Sequence, residues 1–595
     1  MPTYSAPLRE YSFLLKDVLD IGRFSNLPGF ADAPVDLIEQ VLEEGAKFCE
    51  GVLAPLNKIG DEHGCVRHDD GSVTTPPGFK EAYTQFVENG WSALDCPAEH
   101  GGQGLPKLIA AVVSEMWKSA NHAFSLCPLL TRGAIEALEL SGSPEQKDMY
   151  LPKMISGEWT GTMNLTEPQA GSDLAAIRSR AEPKPDGSYR IFGQKIFITY
   201  GDHDMVDNIV HLVLARLPDA PEGVKGISMF VVPKFLVNAD GSLGERNDAY
   251  CVSIEHKLGI HASPTAVMAF GDKGGAIGHL VGKANEGLKY MFIMMNAARY
   301  SVGIEGLAAS EGAYQKALGY ARERVQGRAI EGSAAPVAIV NHPDVRRMLM
   351  LMKSQTEAMR ALAYTVAAAV DKTLRHADEQ ERRGNQAFVD LMIPVVKGWL
   401  TESGNEMAYL GVQVHGGMGF IEEAGAAQFM RDVRITTIYE GTTGIQANDL
   451  IGRKIAREGG ATLMAVIGLM RKTQAAAAAD SELATIADNL GTGIDALERA
   501  AAFIVANFAG DVRSVAVGAV PFLRLMGIVA GGWMMARAAL AARKRIADGD
   551  TDPFYPAKVA TATFYATHTL VMAPALAQVV QAGGPSALAV AEELL

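Results

Sequence analysis

A β-rich block sits in the middle of a chain that is otherwise helical in pattern, and this order restricts the folds open to it. Short runs rich in β-branched and aromatic residues occupy 189–199, 208–215, 226–232, 251–255 and 266–270. Asp-Gly, Pro-Asp and Gly-Asp pairs separate them, which is typical of turns between short strands. The pattern predicts a compact antiparallel sheet or barrel.

Apolar residues at three-to-four spacing flank this block on both sides and indicate helices. A chain of 595 residues is also too long for a single hydrophobic core. We therefore predict four segments: an N-terminal helical domain at 1–159, a middle β domain at 160–278, a helical bundle at 279–458 and a further Ala-rich helical domain at 459–595. The predicted class is mainly α with a central β domain.

Charge and cysteine content exclude some kinds of partner. The 54 Lys and Arg residues are outnumbered by 68 Asp and Glu residues, so the formal net charge is −14. An acidic balance argues against a nucleic-acid partner, because neutralising phosphates needs clustered basic residues. The five cysteines have no C-x-x-C spacing, and the histidines at 203, 211, 256 and 261 form no ligand-like group, so we expect no metal site.

The N-terminal segment and the longest apolar stretches indicate the cellular compartment. The N-terminal residues lack a basic region followed by an apolar one, which is the pattern of a secretory signal. Arg524 interrupts the apolar stretch 515–535, and two Gln residues and a Gly-Gly-Pro break interrupt 569–590, so we expect no membrane span. The expected protein is cytoplasmic.

One carboxylate stands where a catalytic base would be useful. Residues 431–446, RDVRITTIYEGTTGIQ, place Glu440 between an apolar, β-branched approach and a Gly-Thr-Thr-Gly turn. A solvated Glu titrates near ~4.3, which is too acidic for a strong base, and enclosure by apolar groups raises that pKa. The alternative is that Glu440 is an exposed loop carboxylate.

Three further segments are candidates for binding a cofactor. The usual G-x-G-x-x-G, Walker A and H-E-x-x-H signatures are absent from the sequence. A turn-rich segment, LTEPQAGSD, occupies 165–173 at the end of a predicted strand, and KIFIT follows at 195–199. QVHGGMG at 413–419 contains glycines that let backbone approach a phosphate or ribose closely.

These motifs, in this order and near this spacing, closely resemble the acyl-CoA dehydrogenase family of flavoenzymes over about residues 30–455. The resemblance implies FAD as the cofactor, an acyl-CoA as the substrate and Glu440 as the catalytic base. The family's core ends near residue 455, so 459–595 is expected to be an appended helical domain. The resemblance also implies contacts to FAD from Leu165, Thr166, Phe197, Thr199, Arg324, Gln413, Gly416, Gly417 and Thr442, and contacts to the substrate from Ser172 and Arg299.

Some of these positions depart from the family pattern or allow a second interpretation. Phe197 stands where Trp is usual, which still provides a ring for stacking. Arg324 is followed by Val-Gln-Gly instead of the usual x-x-Phe-Gly, so the loop after it is expected to differ. Arg299 has the alternative of a helix-surface residue in a salt bridge. Some family members place the base on the helix after the β domain, where this chain has Ala297 and Ala298.

The activity implied by the resemblance is α,β-dehydrogenation of an acyl-CoA to a trans-2-enoyl-CoA, with electrons passing to an electron-transferring flavoprotein. The opening segment, the loop after Arg324 and the appended domain resemble a long bacterial group within the family, which implies a homodimer and 3-methylmercaptopropionyl-CoA as the substrate. A short- or medium-chain fatty acyl-CoA is the close alternative.

Two other classes of protein are alternatives. A flavin-containing DNA-binding protein of the alkylation response would need a basic stripe on 459–595, where Lys and Arg are balanced by Asp and Glu. A non-catalytic assembly subunit would have no need for Glu440.

Overall fold

The computed structural model describes residues 4–595 and is mainly helical with one large β-sheet. Short 3₁₀ and π-helical segments connect or extend many of the elements. The α-helices are α1 (Leu8–Phe13), α2 (Val35–Phe48), α3 (Ala54–His63), α4 (Phe79–Glu88), α5 (Lys107–Ala120), α6 (His122–Ser141), α7 (Pro144–Ile155), α8 (Gly287–Glu323), α9 (Pro343–Arg375), α10 (Glu379–His415), α11 (Ala426–Val433), α12 (Thr443–Asn448), α13 (Ala461–Ala478), α14 (Ala484–Asn507), α15 (Val512–Val517), α16 (Ala519–Ala547), α17 (Phe554–His568) and α18 (Ala573–Ala587).

The strands lie between α3 and α8, and most of them fall within the predicted β block. They are β1 (Val66–Arg67), β2 (Val73–Thr74), β3 (Trp159–Asn164), β4 (Arg180–Pro183), β5 (Tyr189–Thr199), β6 (Asn208–Arg216), β7 (Ile227–Pro233), β8 (Phe235–Val237), β9 (Leu243–Arg246), β10 (Ala249–Ile254), β11 (Thr265–Phe270) and β12 (Ala276–Val281).

The chain forms two compact units. The helical unit contains the described residues up to Ala46, Pro106–Ser119 and Arg299–Leu595. The sheet unit contains Lys47–Leu105 and Ala120–Ala298. This architecture confirms the predicted class, mainly α with a central β domain and additional C-terminal helices.

The main sheet of the sheet unit closes on itself. Its eight strands run in the order β10-β11-β5-β12-β7-β6-β3, and β4 pairs with both β5 and β6. The strands β5, β12, β7, β6 and β4 therefore form a closed circuit, which is a small barrel and leaves fewer free edges. All pairs are antiparallel except β3 with β6 and β4 with β6.

Five strands were predicted from the sequence, and all five are present as β5, β6, β7, β10 and β11. A further strand was predicted directly before the turn at 165–173, and it is present as β3, Trp159–Asn164, with all six residues buried. Within the main sheet, the sequence did not predict β4 or β12. The β12 strand follows Gly274 and Gly275, near the C-terminal limit of the predicted β domain.

Three long helices dominate the helical unit. α9 and α10 form a hairpin, and α16 of the appended segment packs against both of them. Glycines on α16 allow this close approach: a Cβ added to Gly527 would lie 2.1 Å from Trp399 Cγ of α10, and one added to Gly531 would lie 2.7 Å from Cη2 of the same ring. The appended segment is therefore packed into the bundle by small residues facing large aromatic ones.

The Ala-rich pattern at 557–581 predicts one continuous helix, and the structure differs from this prediction. The structure has α17 and α18 with a 3₁₀ turn, Leu570–Met572, between them. Pro574 stands in the first turn of α18 and has no N–H to continue the hydrogen-bond ladder of α17, so the prediction of a single helix was wrong.

Within residues 4–595, one helix is long and apolar enough to cross a membrane by length and composition alone. It is α16, and 83% of its most apolar window is buried inside the protein. A buried core helix passes the same test.

The close contact at Gly527 generates a stability prediction. Changing Gly to Ala inside a helix ordinarily favours the helix by up to about 1 kcal/mol, but Gly527→Ala places a methyl group against the Trp399 ring and should destabilise the fold by about 1–3 kcal/mol. Urea unfolding followed by circular dichroism measures this. The matched control is Gly468→Ala on α13, where an added Cβ meets nothing within 4 Å and stability should rise or stay constant. Equal effects of the two substitutions would contradict the packing argument.

Candidate active site

The backbone around Glu440 forms a strained turn in the helical unit. A 3₁₀ segment, Arg434–Thr437, leads into it, and Glu440 and Gly441 then adopt φ angles of +53° and +87°. A non-glycine residue with positive φ is uncommon and often marks a functional position. The buried amide of Gln446 supports the turn, because its Nε2 donates a hydrogen bond of 3.2 Å to the Glu440 carbonyl oxygen.

The charge environment of Glu440 is mixed. Burial raises the pKa of its carboxyl group to about 7, although the positive charges of Arg299 and Lys397 act to lower that pKa and Glu305 acts to raise it. Three of these groups come from long helices: Arg299 and Glu305 from α8, and Lys397 from α10. A carboxylate with a pKa near the working pH is about half ionised there, and its ionised form is basic enough to accept a proton.

Arg299 lies on α8 in the helical unit and is only 8% exposed. Its guanidinium faces Asp449 at 4.0 Å, and burial lowers the pKa of Arg299. Its Nε has no hydrogen-bond partner among residues 4–595. Arg299 is thus buried beside Glu440, and the position is not that of an ordinary surface salt bridge.

The glycine-rich loop after α10 has the open backbone that a nucleotide would need. Gly416 ends the helix with φ +60° and ψ −140°, and a Cβ added to Gly416 or Gly417 would meet nothing within 4 Å. The packing of the chain itself therefore does not require glycine here. Gln413 is exposed on the last turn of α10. His415, which the sequence reasoning missed, stacks on Tyr320 with ring centroids 4.5 Å apart and fixes the loop to α8.

The remaining residues of the helical unit that were predicted to contact FAD are Thr442 and Arg324. Thr442 caps α12, and its hydroxyl accepts a hydrogen bond of 3.3 Å from the Ile445 N–H. Arg324 is exposed just beyond the end of α8. The carbonyl oxygen of Arg324 accepts a hydrogen bond of 2.8 Å from Ile339 N–H.

In the sheet unit, a buried ion pair organises the turn at 165–173. Lys195 Nζ lies 2.9 Å from Glu167 Oε1 and donates a 3.0 Å hydrogen bond to the Leu165 carbonyl oxygen. Both side chains are buried, with 0% and 4% exposure. The Glu167 carboxylate also accepts hydrogen bonds from the N–H of Arg178 and from the N–H and hydroxyl of Ser179.

The direction of the pKa shifts agrees with a tight pair. Burial alone would raise the pKa of Glu167, but Lys195 and the hydrogen bonds outweigh it and lower the pKa to about 2. Burial lowers the pKa of Lys195 to about 8, against the opposing effect of Glu167. The sequence reasoning singled out the neighbours of both residues but neither of the two, because the pair is 28 positions apart and forms only through the fold.

The predicted flavin-side residues lie beside this pair. The Thr166 carbonyl oxygen accepts a 2.9 Å hydrogen bond from the Ile196 N–H, which joins the turn to β5. Phe197 has φ +59° opposite a register shift in β11, and its ring is 59% exposed. Thr199, also on β5, is partly exposed, and Ser172 is exposed in the turn.

The residues of each unit fit FAD by their chemistry. The sheet unit presents backbone groups, two hydroxyls and an exposed aromatic ring, which suit a planar isoalloxazine ring with polar edges. The helical unit presents an open glycine-rich backbone and a helix start, which suit phosphate and ribose groups. Residues 4–595 contain no group of three or more His, Cys, Asp or Glu arranged to hold a metal.

Comparison with known proteins assigns the chain to a class. Four family descriptions match successive segments: acyl-CoA dehydrogenase, N-terminal domain, at 38–158; middle domain at 162–272; C-terminal domain at 285–455; and acetyl-CoA dehydrogenase C-terminal like at 466–591. The chain belongs to the acyl-CoA dehydrogenase family. It is accordingly an oxidoreductase that uses FAD and acts on an acyl-CoA.

Individual relatives cover nearly the whole chain. The 3-methylmercaptopropionyl-CoA dehydrogenase of Ruegeria pomeroyi is 49% identical over 571 residues, which is 96% of each chain. A butyryl-CoA dehydrogenase of Syntrophomonas wolfei is 36% identical over 94% of each chain. A similar solved structure is the crystal structure of an acyl-CoA dehydrogenase complexed with FAD from Bacillus anthracis. The match covers 96% of this chain and 92% of that one, with a TM-score of 0.75 and 20% identity, and it shows that the two proteins share a fold.

The buried pair beside the flavin-side turn gives a prediction about cofactor retention. Lys195→Met leaves the Glu167 carboxylate buried without its counter-charge, which should cost about 3–5 kcal/mol and release the turn that carries Leu165 and Thr166. We expect the purified variant to contain less FAD, measured as the ratio of flavin to protein absorbance, and to melt at a lower temperature. The double variant Lys195→Met/Glu167→Gln removes both charges and should regain much of the melting temperature. Full FAD content in the single variant would contradict this role.

Proposed function

We propose that this enzyme oxidises 3-methylmercaptopropionyl-CoA to methylthioacryloyl-CoA, a step in dimethylsulfoniopropionate degradation, and that Glu440 is its base. The observation that carries the chemistry is a single partly buried carboxylate whose pKa is raised to about 7 in a turn supported by Gln446. The choice of substrate is supported by 49% identity over 96% of the chain to a protein named for that substrate.

The proposed reaction begins with removal of a proton. The carbon next to a thioester is weakly acidic, so the base must be ionised, positioned and shielded from bulk water. The Glu440 carboxylate makes no hydrogen bond within residues 4–595, which leaves both oxygens able to accept the proton. FAD, when bound, supplies the acceptor for the hydrogen that leaves the β-carbon as hydride.

Negative charge that develops on the thioester oxygen needs a donor. The backbone N–H of Glu440 has no hydrogen-bond partner in the described chain, and the positive φ of the residue turns this N–H out of the preceding 3₁₀ segment. We propose that it polarises the thioester carbonyl, as a preorganised donor would. Arg299, buried beside the base, is the proposed substrate-side cation.

A second substrate class is supported by a different relative. A butyryl-CoA dehydrogenase covers 94% of the chain, so a short- or medium-chain fatty acyl-CoA is the alternative substrate. Both candidates require the same proton transfer at Glu440, and they differ in the group beyond the β-carbon.

The proposal extends to partners and compartment. We propose an electron-transferring flavoprotein as the electron acceptor, because a dehydrogenase of this kind must pass two electrons onward after each turnover. We propose a homodimer, for which light scattering should give twice the chain mass of 63.4 kDa. A cytoplasmic location is supported by five cysteines that are all free thiols.

A panel of acyl-CoAs tests the substrate. Loss of the visible flavin absorbance is followed after anaerobic mixing with 3-methylmercaptopropionyl-CoA, butyryl-CoA and octanoyl-CoA. We expect the fastest loss with 3-methylmercaptopropionyl-CoA, and faster loss with butyryl-CoA or octanoyl-CoA would favour the fatty acyl-CoA alternative. Absence of bleaching with every member of the panel, in protein with full FAD content, would overturn the proposed function.

Substitution and pH test the base. Glu440→Gln keeps the size of the side chain but cannot accept the proton, so flavin reduction should slow by about 10²–10⁴-fold with FAD content unchanged. In the unchanged enzyme, the rate should fall as pH decreases below about 7, because protonation of Glu440 removes the base. A Glu440→Gln enzyme that reduces its flavin at the original rate would exclude Glu440 from the chemistry.

A further inference from the structure

A buried lysine beside the base has no structural reason to be there. Lys397 lies on α10 with 0% exposure, and its Nζ has no hydrogen-bond partner among residues 4–595. An ammonium group has three donors, and burying it without partners is unfavourable for the fold. The helix would gain stability from an apolar residue at this position, so an electrostatic role is the more economical explanation.

The Thr443–Glu402 hydrogen bond holds the turn that contains Glu440 against α10, and charged groups from three elements act electrostatically on Lys397. They are Glu440 in the strained turn, Glu305 and Arg299 on α8, and Glu402 on α10 itself. Burial lowers the pKa of Lys397 to about 8, against the effect of the three carboxylates. At neutral pH the side chain is therefore mostly charged.

The other carboxylates near Lys397 already have partners. Glu402 accepts a 2.5 Å hydrogen bond from the Thr443 hydroxyl, and Glu305 accepts one from the Tyr439 hydroxyl. Of the three carboxylates that act on Lys397, Glu440 is the one whose carboxylate makes no hydrogen bond within residues 4–595.

The second cation near the base, Arg299, is shared. It faces Asp449, which also lies 3.6 Å from Arg453. The charges that bear on Arg299 are Asp449, Glu440 and Arg453. Unlike Arg299, Lys397 forms no ion pair or hydrogen bond with another carboxylate among residues 4–595.

We propose that Lys397 is a positioning residue for the base: its buried, unpartnered ammonium holds the Glu440 carboxylate in the ionised, proton-accepting form at neutral pH. This inference rests on the proposed role of Glu440. An opposite charge in a poorly solvated site favours ionisation of a neighbouring acid, and here it opposes the effect of burial.

The chain provides a matched control at Lys118 on α5. This lysine is also buried, with 4% exposure, and burial lowers its pKa to about 8 as well. It differs in its neighbours, because its Nζ donates a 2.9 Å hydrogen bond to the Ser114 hydroxyl and its charged neighbour is Glu305, with no influence from Glu440. Lys118→Met and Lys397→Met therefore remove the same group from sites that differ in contact with the base.

The test is the pH dependence of flavin reduction in anaerobic single-turnover mixing, between pH 5.5 and 9.5. In Lys397→Met the pH at half-maximal rate should rise by about one unit, so the rate falls about tenfold at pH 6 and little at pH 9. The two profiles should converge above pH 8, where Lys397 itself loses its charge. Lys118→Met should keep the original profile.

A second variant and a second readout cover the case in which Lys397→Met folds poorly. Lys397→Arg keeps a cation at all these pH values, so its half-maximal pH should stay at or below that of the unchanged enzyme.

The melting temperature reports the same effect of Lys397 on the ionisation of Glu440, and it requires no turnover. Because the folded-state pKa of Glu440 is raised above its usual 4.5, its ionisation costs stability as pH rises from about 4.5 to 7. Glu440→Gln should therefore raise the melting temperature at pH 7.5 more in the Lys397→Met background than in the unchanged enzyme.

Three results would overturn the inference. They are an unshifted pH profile in Lys397→Met, an equal shift in Lys118→Met, and a loss of rate in Lys397→Met that is the same at every pH, as a purely structural role would give. Failure of the proposed function is distinguishable, because the unchanged enzyme would then not be bleached by any acyl-CoA.

Discussion

The proposed chemistry depends on one constraint: the Glu440 carboxylate must be partly buried and still be able to ionise. Glu440 achieves this through a turn with two successive positive φ angles, which the Gln446 amide supports. Burial pushes its pKa up to about 7, and nearby cations limit the rise. A base with less burial would be too weak, and one without nearby cations would be protonated at neutral pH.

Two clusters of buried charge elsewhere in the protein are paired and hydrogen-bonded. In the helical unit, the Arg360 guanidinium contacts Glu115 at 2.7 Å and Glu311 at 2.5 Å, and the Tyr364 hydroxyl completes the set by donating to Glu115 at 2.6 Å. In the sheet unit, Lys195 and Glu167 form an equally complete pair. Such pairs add little net stability over apolar packing, but losing one member is costly. The Lys397 ammonium differs from these two clusters because it has no hydrogen-bond partner among residues 4–595, and it lies near the proposed base.

The appended helices are integrated into the helical unit. Ion pairs join them to the N-terminal segment, between Arg9 and Asp552 and between Arg545 and Asp17. Lys558 on α17 is buried and contacts carboxylates of both the N-terminal segment and α9. These ion pairs tie the appended helices to the N-terminal segment and α9, and α16 packs against α9 and α10, so removal of the appended helices would expose the bundle.

The sequence by itself determined the class of fold, the strands with clear turn signals and the turn that contains Glu440, because each depends on local residue types. The role of Glu440 as the base stays a prediction. The sequence did not predict β4, β12 or the break after α17. Only the tertiary structure decided the electrostatic environment of Glu440. Lys397, Arg299 and Glu305 come from helices far from Glu440 in the sequence, and the Lys195–Glu167 pair spans 28 positions. Burial and the distances between charges are set by packing across the whole unit, and no local pattern encodes them.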